Sequence, residues 1–198
     1  MSNKPFSQAC ENNKEPILQI IRQVFANTTH VLEIGSGTGQ HACYFSQHLP
    51  YLIWQPSDKP ENIACINLLQ ESCRQVNLKP AIALNVTDKT WPFDSIDAVF
   101  TANTLHIMSE QEVQIAFDRL SLYLNPKALL CIYGPFNYNG TFTSDSNARF
   151  ENLLKSQNPL SGIKNIEDIL LLGTDRGIHL INDFEMPANN RLLVLQKS

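Results

Sequence analysis

Short apolar runs alternate with amphipathic segments along most of the chain. Five runs of strand type, HVLEIG, YLIWQPS, AIALNV, IDAVFTA and ALLCIYG, are separated by stretches that include apolar residues at helical spacing. Such alternation predicts a parallel sheet covered by helices on both faces. Two last runs, IHLINDFEM and RLLVLQK, have only PANN between them, which indicates a hairpin. We therefore predict an α/β protein with a doubly wound, seven-stranded, mostly parallel Rossmann-like sheet whose last strand is antiparallel.

The length of 198 residues suits one core, so we predict a single domain over residues 1–198. Residues 137–161 are polar, turn-rich and longer than most connections, and we interpret them as an insertion that caps a substrate pocket. Residues 1–26, an N-terminal segment and the first helix, are a candidate lid, with a frayed terminus as the alternative. Glu15 and Pro16 are expected to open that helix.

Charge, apolar runs and cysteine spacing limit the partners, location and metal sites to be expected. The formal net charge is −4 and there is no basic block, which disfavours nucleic acid. No apolar run approaches the ~20 residues of a membrane span, and the first residues lack the apolar core of a signal peptide, so a cytoplasmic protein is expected. The five cysteines include no CxxC pair. We predict that they are reduced core residues and that there is no metal site.

The segment VLEIGSGTGQH places Gly35, Gly37 and Gly39 directly after the first predicted strand. In a doubly wound sheet this turn borders the ligand crevice, and dense glycines let a ligand approach the backbone. A dinucleotide motif, G-x-G-x-x-G, needs a third glycine where this chain has Gln40, so that chemistry and a ligand-free turn are minor alternatives. Asp58 ends the second strand, where a carboxylate can accept from ribose hydroxyls or cap the next helix.

The pattern E-x-G-x-G-x-G, from Glu33 to Gly39, resembles the first motif of class I S-adenosylmethionine-dependent methyltransferases. Six segments in order, FSQACENNKEPIL, LEIGSGTGQH, WQPSD, ANTLHI, YGPF and EMPANN, are together similar to the methyltransferase-like 26 family over nearly the whole chain. The resemblance implies the fold and S-adenosyl-L-methionine as cofactor, and it supplies no substrate. One departure from the family is a missing basic residue near Asn12.

Nine residues are expected to contact this cofactor. The turn after strand one and the acidic end of strand two are predicted from their positions, whereas adenine contacts after strand three are implied by the resemblance. The set is Glu33, Gly35, Ser36, Gly37, Gly39, Asp58, Asn85, Val86 and Asn103.

Methyl transfer is an in-line displacement, so the acceptor edge needs polar groups that align the substrate and exclude water. The ends of strands four and five should form this edge, with Asn103, His106 and Tyr133 as candidate catalytic residues. His106 is expected to titrate near neutrality and to act as a base, or else it is a structural histidine. Candidate substrate-binding residues are Phe136, Glu185 and Asn189.

The sequence leaves three functions open. The first is an S-adenosylmethionine-dependent methyltransferase with a small-molecule acceptor. The others are an NAD(P)-dependent oxidoreductase and a non-catalytic module that binds S-adenosylmethionine. Strand four ends in ANTLHI, not in the Asn/Asp-Pro-Pro-aromatic motif typical of class members that methylate planar amino nitrogens, so that acceptor is disfavoured. The sequence predicts neither the acceptor atom nor the oligomeric state.

Overall fold

The computed structural model describes residues 6–198, in which helices and strands largely alternate. The helices of this part of the chain are α1 Gln8–Val24, α2 Gln40–His48, α3 Pro60–Cys73, α4 Glu110–Tyr123, α5 Asp145–Gln157 and α6 Ile166–Thr174. Its strands are β1 His30–Ile34, β2 Ile53–Asp58, β3 Ile82–Ala83, β4 Ile96–Ala102, β5 Leu124–Gly134, β6 Phe136–Asn137, β7 Lys164–Asn165, β8 Ile178–Met186 and β9 Asn190–Lys197. A short 3₁₀ turn, Pro187–Asn189, joins β8 to β9.

Seven strands form one sheet in the order β3-β2-β1-β4-β5-β9-β8. The pairs among β1 to β5 are parallel, and β9 is antiparallel to both β5 and β8. The predicted mostly parallel sheet with an antiparallel last strand is therefore confirmed. Strand order reverses between β1 and β4, and the carboxyl ends of strands at such a point flank a crevice that binds ligands in open α/β sheets.

Apolar side chains cover both faces of this sheet. On one face α1 and α2 pack against it, with Phe45 and Phe100 fully buried. On the other face α4 and α6 pack against it, with Phe117 and Val99 in the core. Val99 and Phe100 are consecutive in β4 and point to opposite faces, as strand geometry requires. The buried faces thus hold the central strands, and with them the crevice, in one arrangement.

Helix α1 begins two turns earlier than the sequence analysis predicts. Its N-cap is Ser7, whose hydroxyl accepts a hydrogen bond from the backbone N–H of Cys10 at 3.3 Å. Pro16 lies inside the helix and not at its start. Proline removes one helical hydrogen bond, and here the turns before Pro16 are held by contacts with α2 that sequence periodicity does not show.

Two further regions differ from their prediction. The third strand has two residues because the chain turns directly after it: Asp88 N–H donates to the Asn85 carbonyl at 3.0 Å. Residues 137–161 are polar and turn-rich in sequence, yet they contain α5, which runs for 13 residues after its N-cap Ser144. The short parallel pair of β6 and β7 flanks this insertion. A polar helix lacks a strong apolar period, so its sequence does not distinguish it from a loop.

The cysteine prediction was wrong for two of the five residues. Cys43 of α2 and Cys73 of α3 form a disulfide, with their Cα atoms 5.8 Å apart. The two positions meet because α2 and α3 lie side by side, a proximity that a sequence separation of 30 residues does not reveal. Cys131 is buried in the core, whereas Cys10 and Cys65 are half-buried.

Candidate functional site

A cavity of about 840 Å³ opens at the carboxyl ends of β1, β2, β4 and β5, where the strand order reverses. Its volume is in the range of small-molecule sites. One side is formed by the glycine loop, residues 35–39, and by the residues that follow β2. The other side, which we call the acceptor wall, is formed by lining residues of the segments 103–108, 133–135, 146–158 and 187–190.

The glycine loop has three left-handed residues, Gly35, Gly37 and Gly39, with φ of 74°, 56° and 79°. A Cβ on Gly35 would lie 2.7 Å from the Thr104 side chain, and one on Gly39 would lie 3.1 Å from Ile66. A Cβ on Gly37 would meet no atom within 4 Å. The loop is therefore closely packed at its ends, while Gly37 lines the cavity and leaves its backbone open to a ligand.

Asp58 lies opposite this loop at the end of β2. Its Oδ2 accepts a hydrogen bond from Gly37 N–H at 2.6 Å. Its Oδ1 accepts from Lys59 N–H at 2.7 Å and from the Asn62 side chain at 2.8 Å. These bonds fix a charged acceptor in the cavity lining, next to the loop residue that leaves space for a ligand.

Glu33 lies beneath the glycine loop and outside the cavity lining. The Trp54 indole donates to its Oε2 at 2.9 Å, and Ser57 Oγ donates to its carbonyl at 2.6 Å. Burial raises the pKa of Glu33 to about 7, and hydrogen bonds from Trp54 and Ser36 only partly oppose this shift. Glu33 therefore supports the loop from below. Ser36, which is hydrogen-bonded to Glu33, is the residue that connects it to the cavity lining.

Helix α1 forms one wall of the cavity and is attached to the start of α2. Ser7 N–H donates to Gln40 Oε1 at 2.5 Å, and Gln40 Nε2 donates to Glu11 Oε1 at 2.8 Å. His41 Nε2 lies 2.7 Å from Asn13 Oδ1, and burial lowers the pKa of His41 to about 4. Residues 1–5 of the predicted lid lie outside the described residues.

Gln40 and His41 were missed as site residues by the sequence analysis. The available signal was Gln40 itself, which stands where a dinucleotide motif has its third glycine. The structure uses that position to attach α1 through Ser7 and Glu11, so the departure from the dinucleotide pattern has a physical role.

The turn after β4 carries Asn103 and His106. Asn103 is left-handed, with φ of 57°, and its N–H donates to the Tyr133 carbonyl at 2.8 Å. Such a conformation is uncommon outside glycine and concentrates at functional sites. Gly162 N–H donates to the His106 carbonyl at 2.9 Å, and Lys164 Nζ donates to the Met108 carbonyl at the same distance. The segment 161–164 therefore holds this turn from behind.

The His106 side chain is buried beside the Phe150 ring, with 5.1 Å between ring centroids in an edge-on arrangement. Among residues 6–198 its ring nitrogens have no hydrogen-bond partner. Burial, and then the positive charge of Lys164, lower the pKa of His106 to about 4, although Glu151 acts in the opposite direction. The expectation of titration near neutrality is therefore not met, and the imidazole is neutral at pH 7.

The insertion and the closing hairpin complete the acceptor wall. Ser146, Asn147 and Phe150 of α5 line the cavity. Asn147 Nδ2 donates to Thr143 Oγ1 at 2.9 Å and to the Asn189 carbonyl at 3.3 Å, so that α5 is joined to the turn between β8 and β9. Helix α5 thus lies where the sequence analysis expects a cap.

The structure brings half of the predicted site residues together around one cavity. Those that line it are Gly35, Ser36, Gly37, Asp58, Asn103, His106 and Tyr133. Tyr133 is buried at the end of β5, and this burial raises the pKa of its phenol. Residues that lie outside the lining are Glu33, Gly39, Asn85, Val86, Phe136, Glu185 and Asn189.

The residues outside the lining have identifiable local roles. Val86 and Phe136 are core side chains, at 5% and 1% exposure. Asn85 Oδ1 accepts from Thr87 N–H at 3.2 Å within its own turn. Glu185 is exposed and lies 3.2 Å from Arg191. Several of the named residues lie next in sequence to residues that line the cavity, such as Pro135 beside Phe136 and Asn190 beside Asn189.

Two negative findings apply to residues 6–198. This part of the chain holds no group of three or more His, Cys, Asp or Glu side chains able to bind a metal ion. None of its helices combines the length and apolar character that crossing a membrane requires.

Comparison with known proteins places the fold in one class. A family model described as "Protein of unknown function (DUF938)" matches residues 4–197. An O-methyltransferase family protein from Burkholderia thailandensis has a similar structure, with a TM-score of 0.82 and 17% identity over 93% of this chain and 56% of that chain. The class I methyltransferase fold is therefore confirmed.

Two further structures show the same likeness. The S-adenosylmethionine-dependent methyltransferase SibL, in its apo form, gives a TM-score of 0.76 at 16% identity over 95% of this chain and 55% of that chain. An O-methyltransferase family 2 protein from Planctomyces limnophilus DSM 3776, in complex with apigenin, gives 0.75 at 14% identity over 93% and 62%. The chain thus spans little more than half the length of these structures.

Proposed function

The chain belongs to the DUF938 family, and we propose that it is an S-adenosylmethionine-dependent methyltransferase that acts on a small-molecule acceptor. One observation carries this proposal. Gly37 leaves its backbone open to the cavity while its N–H is held by Asp58, the one carboxylate fixed at the end of β2. The likeness to methyltransferase structures supports the fold of such an enzyme, and the site argues for the cofactor.

The residues around the glycine loop fit this cofactor. Asp58 offers two acceptor oxygens, which suit the two hydroxyls of a ribose. The open position at Gly37 is a cradle that a Cβ would fill. When bound, S-adenosylmethionine supplies an electrophilic methyl group on a positively charged sulfur. Ser36 and Asn103, which also line the cavity, are the further residues proposed to hold it.

On the acceptor wall we assign His106 the role of proton acceptor. A neutral imidazole with no partner among residues 6–198 can take a proton from an acceptor hydroxyl or amine. Asn103 and Tyr133 align the acceptor from neighbouring strand ends. Helices α1 and α5 cover the cavity and exclude water, which favours in-line displacement over side reactions.

The two alternative functions are less well supported. Attachment of α1 through Gln40 occupies the position where a dinucleotide site has its third glycine. A pure binding module would not need the imidazole of His106, which lines the cavity and has no hydrogen-bond partner among residues 6–198. Small-molecule O-methyltransferases among the similar folds, one of them in complex with apigenin, agree with a small acceptor.

Calorimetric titration tests the cofactor assignment. We expect S-adenosylhomocysteine to bind with a micromolar Kd, corresponding to ~8 kcal/mol, and NAD to bind at least ~100-fold more weakly. If NAD binds as tightly as S-adenosylhomocysteine, or if only NAD gives a heat of binding, the NAD(P)-dependent oxidoreductase replaces the proposed methyltransferase. Binding of S-adenosylhomocysteine without methyl transfer to any metabolite pool would favour the binding module.

A further inference from the structure

We propose that the methyl acceptor is an uncharged molecule with a hydroxyl or amide group on an apolar body, and that molecules with a phosphate or carboxylate are rejected. The inference rests on the proposed function and assigns its substrate class. It is carried by the chemical character of the acceptor wall. This differs from the character of the opposite side, formed by the glycine loop and the residues that follow β2, which we call the cofactor side.

Few charged side chains line the cavity. Among residues 6–198 the charged groups in the lining are Asp58, Lys59 and Glu112. Asp58 faces the glycine loop, and Lys59 Nζ lies 4.0 Å from Glu112 Oε1, so each cation or anion there has a partner. None of the lining residues of the acceptor wall is Lys, Arg, Asp or Glu.

Two lysines of the segments that carry the acceptor wall are engaged with protein groups outside the lining. Lys164 Nζ donates to the Met108 carbonyl at 2.9 Å, and Lys155 Nζ lies 2.8 Å from Glu151 Oε1. Neither lysine is part of the lining. A phosphate or carboxylate on the acceptor would therefore be buried without the charge-assisted hydrogen bonds that normally stabilise it.

The polar groups of the acceptor wall are neutral. They include the side chains of Asn103, Tyr133, Ser146, Asn147, Asn158 and Asn190. Carboxamides and hydroxyls both donate and accept, so they pair with hydroxyl and amide groups of a ligand at no cost in unpaired charge. The apolar part of the wall, which includes Phe150, Met108 and Pro135, suits an apolar body between these groups.

An uncharged acceptor still carries a proton on its attacking atom, and the neutral imidazole of His106 in the cavity lining is a group that can accept it. The acceptor heteroatom forms a bond to the methyl carbon as the carbon–sulfur bond breaks and its electron pair passes to sulfur. The proton of the heteroatom passes to a ring nitrogen of His106. An acceptor that is already anionic would not need this histidine.

The test separates a small-molecule extract into anionic, cationic and unretained pools on ion exchangers at pH 7. Each pool is incubated with the full chain and S-adenosylmethionine labelled with tritium in its methyl group. We expect labelled product from the unretained pool at a rate at least tenfold above the other two. Label transferred mainly to the anionic or cationic pool overturns the inference.

Two measurements separate this inference from the proposed function. If calorimetry with S-adenosylhomocysteine shows no binding, the proposed function fails. If it shows binding and label passes to the anionic or cationic pool but not to the unretained pool, the assignment of the acceptor class fails alone.

A matched pair of variants on α5 tests whether the lack of a cation at the acceptor wall causes the preference for uncharged acceptors. Ser146→Lys places a cation at the acceptor wall, whereas Ser156→Lys places one on an exposed part of the same helix outside the lining. We expect Ser146→Lys to raise the ratio of anionic to unretained product at least tenfold, with no change for Ser156→Lys. An unchanged ratio in a folded Ser146→Lys protein would show that the missing cation does not set the preference.

Discussion

The two sides of the cavity are built in different ways. The cofactor side comes from two short segments, the glycine loop and residues 58–62, and is held by hydrogen bonds of 2.6–2.7 Å that backbone N–H groups donate to the Asp58 carboxylate. The acceptor wall comes from four segments distributed between residues 103 and 190, and its character lies in neutral side chains. The first arrangement depends on one loop and one carboxylate, whereas the second depends on side chains from four separate segments.

This difference predicts separate consequences for substitutions on each side. Changes in the glycine loop or Asp58 should affect cofactor affinity. Changes on the acceptor wall, apart from Asn103, should affect turnover and leave cofactor affinity intact. The four variants below range from the largest expected effect to the smallest.

The largest effect is expected for His106→Ala. Loss of the proton acceptor should lower kcat by ~10²–10⁴-fold, the usual contribution of a general base, while the Kd of S-adenosylhomocysteine stays within about twofold. Steady-state kinetics with the acceptor from the labelled pool provides the measurement, and His179→Ala, at an exposed position of β8, is the control. A folded variant with unaltered kcat would remove His106 from the mechanism.

The pH profile gives a second readout of the same residue. The base must be neutral, so the rate is lost as pH falls through the pKa of about 4, and it should vary by less than about twofold between pH 5.5 and 8. An ordinary histidine would lose most of the rate already at pH 5.5. The His106→Ala protein should lack the acid limb.

Gly37→Val should weaken S-adenosylhomocysteine by more than ~30-fold, or ~2 kcal/mol. A branched side chain would occupy the open cradle and resist a φ of 56°. Gly140→Val is the matched control, because Gly140 also has a positive φ and open space but lies outside the lining. Comparable losses in both variants, measured by calorimetry, would attribute the effect to backbone strain.

Asp58→Asn should weaken S-adenosylhomocysteine by about tenfold, since a carboxamide retains one acceptor oxygen and ribose then loses one charge-assisted hydrogen bond of ~1.5 kcal/mol. Free methionine, which has no ribose, should bind both proteins equally. Asp97→Asn, whose carboxylate contacts Asn125 on the surface, serves as control. Equal losses for both ligands would mean that Asp58 acts on loop shape.

The smallest effect on binding is expected for Glu33→Gln, with a Kd within about threefold of the parent, because the side chain supports the loop from outside the lining. Its effect on stability has a definite sign. The folded pKa of about 7 exceeds the ordinary 4.5, so this group's stabilisation is present below pH 4.5 and lost as pH rises through 7. Relative to the parent, the variant should gain ~1–3 kcal/mol between pH 5 and 8. Chemical denaturation across this range measures the difference.

The sequence predicted some residues of the cavity lining correctly and others not. Their positions after β1 and at the end of β2 were enough to predict that Gly37 and Asp58 line the cavity, because parallel strands bring their carboxyl ends to one edge of the sheet. It did not suffice for Phe136 and Asn189, where the neighbouring Pro135 and Asn190 line the cavity instead. At a strand end, the side of the chain that faces a cavity depends on one-residue details of register and turn, and these follow from tertiary packing.

Sequence alone determined the sheet, its closing antiparallel strand and the glycine loop, because periodicity and positive φ are local properties of the chain. Only the tertiary structure decided how the acceptor wall is composed. His106 meets Phe150, and Asn13 meets His41, across long sequence separations. The neutral state of His106 also depends on this assembly, since burial by distant segments lowers its pKa to about 4. Burial and charge proximity are properties of the folded chain, and no local pattern encodes them.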